Sequence, residues 1–175
     1  VKWKDEGRKI YPVSINLSRA SLYYADVFER YQSILKESGI EPEYIQLEVT
    51  ESAMEGKKDI RVLLEQFRNM GIQILMDDFG TGYSSLNYIK QLPLNIIKVD
   101  KTFIDDIVGD DYAQAFVKLI VDLSKTIGTQ IVVEGVEHSN QYELLRELGA
   151  DYIQGYYFYK PMPEEEFVKL LDAGR

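Results

Sequence analysis

Short β-branched runs that end in a polar residue alternate with longer segments of helical spacing along the whole chain. No other pattern in it constrains the fold as much. The runs are residues 11–16, 44–49, 72–77, 95–100, 130–134 and 151–154. Each has the composition of a strand and turn residues at its flanks. Between them, Val27, Tyr31, Ile34 and Leu35 form one stripe before Gly39, and Ile60, Leu63, Leu64 and Phe67 a second before Gly71. Ala113, Phe116, Ile120, Leu123 and Ile127 form a third before Gly128, and Gln141, Leu144, Leu145 and Leu148 a fourth before Gly149. Such spacing places the apolar residues on one helix face, and a glycine just beyond suits the helix end. Pro163 and the three acids after it read as the first turn of a last helix.

Six β-then-α units without a linker demand a parallel sheet with right-handed crossovers. An open doubly wound sheet and a closed barrel both satisfy that demand. The strand ends favour the barrel. Asn16, Glu48, Asp77, Asp100, Glu134 and Gln154 stand at or near six successive strand ends, about 28 residues apart on average. A barrel gathers all such ends round one mouth, whereas an open sheet gathers only those at its switch point. The expected fold is therefore α/β, a TIM-like (β/α) barrel. It is incomplete: about six units are present, and 175 residues fall roughly 75 short of the usual ~250. The first two strands are expected to be missing, and residues 1–175 to form one N-terminally truncated domain.

Composition removes several chemistries. There is no cysteine, which excludes disulfides, thiolate zinc sites and cysteine nucleophiles, and the one histidine excludes His-cluster metal sites. Any metal must take oxygen ligands, which points to Mg, Mn or Ca before Zn or Cu. The net charge of −9 argues against a grip on DNA backbone. No apolar run approaches the ~20 residues of a membrane span, so no membrane contact is expected of this segment. The N-terminus has neither a signal-peptide core nor a start methionine.

The candidate chemistry lies at the strand ends. In Met76-Asp-Asp-Phe-Gly-Thr-Gly-Tyr-Ser-Ser-Leu86 two adjacent carboxylates close a strand, and a glycine-rich loop leads into a helix. Asp77 and Asp78 repel one another unless a divalent cation lies between or beside them; taken alone, the pair also fits a solvated turn. Glu48 faces away from Leu47, and is either an inward carboxylate needing a cation or an exposed strand-end acid. Glu51 reads as a holder of the loop it lies in. Asn16 is a possible oxygen ligand but, taken alone, a helix N-cap. Lys98 and Asp100 share a strand face. Lys98 suits either stabilisation of a developing phosphorane or a buried ion pair. Glu134 is a candidate general base, Glu137 a candidate helix cap, and His138 an exposed loop residue. Gln154 with Tyr156, Tyr157 and Tyr159 could hold and stack a nucleobase, although packing is the plainer reading of the aromatics. Read from the residues alone, these point to a divalent-metal hydrolase or lyase acting on a phosphate or carbonyl substrate.

The segments Ser14-Ile-Asn-Leu-Ser, Leu47-Glu-Val-Thr-Glu-Ser, Asp77-Asp-Phe-Gly-Thr-Gly-Tyr-Ser-Ser-Leu, Ile97-Lys-Val-Asp, Val133-Glu-Gly-Val-Glu and Gln154-Gly-Tyr occur in that order. Together they resemble the EAL-domain family of cyclic-di-GMP phosphodiesterases, over essentially the whole chain. The resemblance implies a TIM-like barrel with one reversed strand near its start, and Mg2+- or Mn2+-dependent hydrolysis of cyclic-di-GMP to a linear dinucleotide. It implies a two-metal site in the complete domain, with Asn16, Glu48 and Asp77 as ligands, Asp78 serving the second metal and Asp100 close to it. Lys98 would stand at the nucleophilic water, Glu134 would be the catalytic glutamate, Gln154 would meet substrate, and Glu51 would anchor the Asp-Asp loop. The signature Glu-Ala-Leu strand and the substrate-facing arginine near it are absent from the chain. The fragment alone is therefore expected to be inactive and self-associating. The competing expectation is a cyclic-di-GMP receptor or regulatory domain without catalysis. The resemblance also implies a bacterial signalling protein, with sensor or cyclase domains or a homo-oligomer as partners. A cytoplasmic setting is expected, although the parent could be anchored in a membrane through other domains.

Overall fold

The computed structural model describes residues 1–54, 59–81 and 89–173. A short helix, α1 (Lys2–Asp5), precedes β1 (Val13–Asn16), α2 (Arg19–Leu22) and α3 (Val27–Ser38). β2 (Ile45–Thr50), α4 (Glu51–Met54), α5 (Ile60–Asn69) and β3 (Gln73–Phe79) follow. Then come β4 (Ile96–Val99), α6 (Asp111–Ile127), β5 (Gln130–Val133), α7 (Ser139–Leu148), β6 (Tyr152–Ile153) and α8 (Glu164–Asp172). Residues 82–86 of the Asp-Asp loop, and the helix expected after it, lie outside the described residues.

The six strands pair in sequence order, every pair parallel, and form a curled half-barrel. The alternation of side chains decides what each face carries. Leu47, Val49, Ile74, Met76, Ile97, Val99, Ile131 and Val133 point outward beneath the helices and are buried. Leu64, Phe67, Val117, Ile120, Val121 and Leu145 meet them from the helix side. Each such side chain contributes about 1.5–3 kcal/mol by leaving water. Phe67 also takes Phe28 and Tyr31 edge-on, at ring separations of 5.3 and 5.4 Å, and so binds α3 to α5.

The concave face mixes polar side chains with apolar ones such as Leu75, Ile96 and Val132. It lines a cavity of about 390 Å³ with Ser14, Gln46, Glu48, Gln73, Lys98, Gln130 and Gln154 among its walls. Below the charged residues, Ser14 Oγ donates to Gln46 Oε1 at 3.0 Å and Gln46 Nε2 donates to Gln73 Oε1 at 2.7 Å. Closed barrels fill this space mainly with branched aliphatic residues. Among the described residues no strand pairs with the outer edges of β1 or β6, and β1 is exposed throughout.

β1, β4, β5 and β6 are shorter than their sequence runs, β2 is shifted by one residue, and β3 runs on to Phe79, two residues past its run. Asn16 does not cap α2: that role falls to Ser18, whose Oγ accepts the Ser21 N–H at 3.1 Å. α6 opens with Asp110 accepting from the Tyr112 and Ala113 N–H groups and stops at Gly128, whose φ of 76° only glycine takes at little cost. No helix among the described residues is long and apolar enough to cross a membrane.

Candidate active site

The β2 register places Glu48 opposite Asn16 on one side and Leu75 on the other, and Thr50 opposite Asp77. Because Leu47 and Val49 are buried outward, Glu48 must face the concavity. Lys98 faces it from β4, opposite Val132 of β5. Glu134 follows the end of β5, where its N–H bonds to the Val99 carbonyl at 3.1 Å.

These placements converge. Lys98 Nζ lies 2.9 Å from Glu48 Oε1, 2.9 Å from Asp77 Oδ1 and 3.0 Å from Glu134 Oε1. Its side chain is 7% exposed and those of the three carboxylates 12, 14 and 18%. Burial opposes the lysine charge, but the facing carboxylates of Asp77, Glu48 and Glu134 outweigh it and hold its pKa above the ordinary value. Burial raises the Glu134 pKa; Lys98 pulls it back, and the negative charges of Asp77 and Glu48 push it up again. With three negative charges against one positive, the cluster is short of cations.

Asp78 reaches the same mouth by a local irregularity. The β3–β4 register shifts between Met76 and Phe79, and Asp78 takes a left-handed backbone with φ of 54°. An extra residue at such a bulge turns neighbouring side chains from opposite faces toward the same end of the strand. Burial, with the charges of Asp77 and Asp100, raises the Asp78 pKa. Asp100 follows β4 rather than sharing it, and its Oδ1 accepts from Thr102 N–H at 2.9 Å and Thr102 Oγ1 at 2.6 Å.

Glu51 is 3% exposed, and its Oε2 accepts the Gly80 N–H at 3.3 Å. Gln154 follows β6, donating its N–H to the Val133 carbonyl at 2.9 Å and accepting from Val136 N–H at 3.1 Å. Glu137 does not cap α7. It pairs with Lys101 at 2.7 Å, and Gln141 Oε1 accepts from the N–H groups of Glu137 and His138 at 2.9 and 3.0 Å. Tyr157 stacks on Tyr142 at 5.4 Å, while Tyr156 and Tyr159 are exposed, so none of the three belongs to the core.

Sequence reasoning missed Gln141. It sits at an apolar-stripe position, yet it is 4% exposed and its Nε2 also donates to the Ile104 carbonyl at 2.9 Å, tying the β4 and β5 loops together. A glutamine at the third position of a helix was the available signal. Lys98 was legible as a lysine beside carboxylates, but not as the centre of three.

Among the described residues no three acidic or histidine side chains stand ready as a preformed metal cage. The donor chemistry nonetheless fits a hard divalent cation, since it is all oxygen and excess negative charge. Asp77 Oδ1 is buried and has no hydrogen-bond partner among the described residues, which a cation would satisfy.

A family model for the EAL domain matches residues 1–161. The chain is 40% identical over 95% of its length to the bifunctional diguanylate cyclase/cyclic di-GMP phosphodiesterase MucR of Pseudomonas aeruginosa, covering 24% of that protein. It is 34% identical over 95% of its length to the cyclic di-GMP phosphodiesterase PdeR of Escherichia coli, covering 25% of it. The chain thus spans about a quarter of the length of these curated relatives. Among solved structures, the MucR phosphodiesterase in complex with c-di-GMP superposes with a TM-score of 0.88 at 40% identity, over 95% of this chain and 68% of that one. The EAL domain of Mycobacterium smegmatis DcpA superposes with a TM-score of 0.93 at 32% identity, over 99% and 79%. In sequence and in fold alike, then, this chain belongs to the EAL domain family.

Proposed function

We propose that the chain carries most of the catalytic residues of an EAL domain that in its complete form hydrolyses cyclic-di-GMP to a linear dinucleotide. One observation carries the reading: Lys98 stands within 3.0 Å of carboxylates from three separate strand ends, at the mouth of a sheet matched to a c-di-GMP complex. Asn16, Glu48 and Asp77 would hold one Mg2+ or Mn2+, and Asp78 with Asp100 a second. When bound, such ions supply Lewis-acid polarisation of a phosphoryl oxygen and lower the pKa of water. Manganese and calcium complexes of Klebsiella pneumoniae BlrP1 with cyclic-di-GMP, 29 and 32% identical with TM-scores of 0.77 and 0.80, support a divalent cation.

The chain's own residues would then act as follows. Glu134 accepts a proton from the attacking water, a task its raised pKa suits. Lys98 offers its ammonium to the negative charge that gathers on the phosphoryl group as the new P–O bond forms and the P–O3′ bond breaks. Gln154, held by Val133 and Val136, presents its amide to substrate. Glu51 holds the loop of Asp77 and Asp78 through Gly80. A substrate with two phosphates enters a −9 chain because bound divalent charge reverses the local field. By itself, Val1–Arg175 should be inactive and self-associating, because the outer edges of β1 and β6 offer unpaired backbone groups. The parent protein is proposed to work in the cytoplasm, joined to sensor or cyclase domains.

The test is turnover and binding of cyclic-di-GMP by the full-length protein, with and without Mn2+, together with Asp77→Asn. Mn2+-dependent hydrolysis that Asp77→Asn abolishes while the fold persists is expected. Binding without turnover would instead favour a cyclic-di-GMP receptor.

A further inference from the structure

Three phenyl rings from three different elements lie in a row behind the Asp-Asp loop. Phe79 ends β3, Phe103 closes the 3-10 turn Lys101–Phe103, and Phe116 lies on α6. Phe103 and Phe116 stack at 4.1 Å with their planes 15° apart, and Phe79 lies 6.4 Å from Phe116 at 17°. Gly80 rests on this stack. A Cβ at Gly80 would lie 2.7 Å from Phe103 Cε2 and 2.8 Å from Phe116 Cζ, well inside contact distance. Both rings are half-buried, and each is backed by the other.

The backbone that rests there is held in an uncommon shape. Asp78 has φ of 54° and Gly80 φ of 97°. Thr81 closes the turn by donating its N–H and its Oγ1 to the Asp78 carbonyl, at 3.2 and 2.8 Å. A left-handed aspartate is strained and persists only where its surroundings over-determine it. Phe103 belongs to the turn that Asp100 caps, so the stack touches the loops of both carboxylates at once.

We infer that Phe103 and Phe116 are positioning residues: their stacked rings form the seat for Gly80 and thereby set where Asp78 stands relative to Asp100. Neither ring meets substrate or metal. This inference rests on the functional reading above, which assigns Asp78 and Asp100 to the second metal. The two rings meet Gly80 with their edge atoms, and a shorter aliphatic side chain would leave it without that support.

The experiment is calorimetric Mn2+ titration of the full-length protein carrying Phe116→Leu, Phe103→Leu or Gly80→Ala, with the Mn2+ dependence of turnover measured alongside. Displacing the support of a ligand typically costs about 10–100-fold in metal affinity. Phe116→Leu and Gly80→Ala should therefore weaken Mn2+ binding at least about tenfold, with turnover at saturating Mn2+ largely recovered. Phe103→Leu, which removes the other ring of the stack, should weaken Mn2+ binding in the same way. Unchanged Mn2+ affinity in both Phe116→Leu and Gly80→Ala overturns the inference and leaves the functional reading intact. If Phe116→Leu does not fold, Phe103→Leu decides in its place, since it removes the other ring of the stack from the short turn Lys101–Phe103. Failure of the unmutated protein to bind Mn2+ overturns the functional reading and this inference with it.

Discussion

Lys98 Nζ stands 2.9 Å from Asp77 Oδ1, an oxygen that is buried yet has no hydrogen bond among the described residues. The contact is an ion pair by distance without the alignment of a hydrogen bond. It leaves the carboxylate charge neutralised in part and its oxygen open to a further cation. Glu48 and Glu134 share the same ammonium, so the lysine is the resident counter-charge of the whole site.

Lys98→Met should expose that dependence. Removing one partner of a buried ion pair typically costs about 3–5 kcal/mol, because the charges left behind are uncompensated. The metal-free variant should unfold at lower urea than the parent, and Mn2+ should restore more stability to it than to the parent. Urea melts with Mn2+ and with a chelator measure both; equal metal-free stability would refute the counter-charge role.

Glu134→Gln in the full-length protein should lower turnover about 10²–10⁴-fold with little loss of substrate affinity, since the amide keeps the shape without the basicity. Steady-state kinetics beside equilibrium binding separates the two. Near-normal turnover with weakened binding would make Glu134 a substrate contact.

Mn2+ affinity should rise with pH across the mildly acid range. Asp78 and Glu134 have folded-state pKa values raised mainly by burial, so both hold protons above the ordinary carboxylate range of about 4. A raised carboxyl contributes stability below its unfolded pKa and loses it as pH climbs through the folded value. The metal-free fold therefore weakens over that window, while the cation, which must displace those protons, binds better. Titrations in buffers of different ionisation enthalpy should record proton release on Mn2+ binding that fades as pH rises past the raised carboxyls. Pure pH-independence across the window contradicts the assignment.

Gly155→Ala should be destabilising by about 1–3 kcal/mol, the usual cost of forcing an atom into packed space. Its Cβ would lie 2.1 Å from the Val136 carbonyl oxygen and 2.4 Å from the Val136 nitrogen. That backbone accepts the Tyr157 N–H at 2.9 Å and donates to the Gln154 carbonyl at 3.1 Å, so the substitution should also displace Gln154. Urea unfolding and substrate affinity read the two effects; a silent variant would show that the β6 loop is not held there.

Much was legible from sequence. The six-fold alternation of β-branched runs and amphipathic stripes dictates parallel strands under helices, because no other layering buries every stripe. The polar residue closing each run marks the chemistry, because carboxylates are too costly to gather at one barrel mouth without a cation. Those are local signals, carried by periods of two and of 3.6 residues. Tertiary structure alone decided that Lys98 bridges three carboxylates and that Gln141, buried within its apolar stripe, ties two loops. It also decided that a bulge turns Asp78 to the mouth and that an aromatic stack lies under Gly80. These depend on contacts between residues far apart in the chain, and their geometry follows from strand register and loop approach, which no window of neighbouring residues encodes.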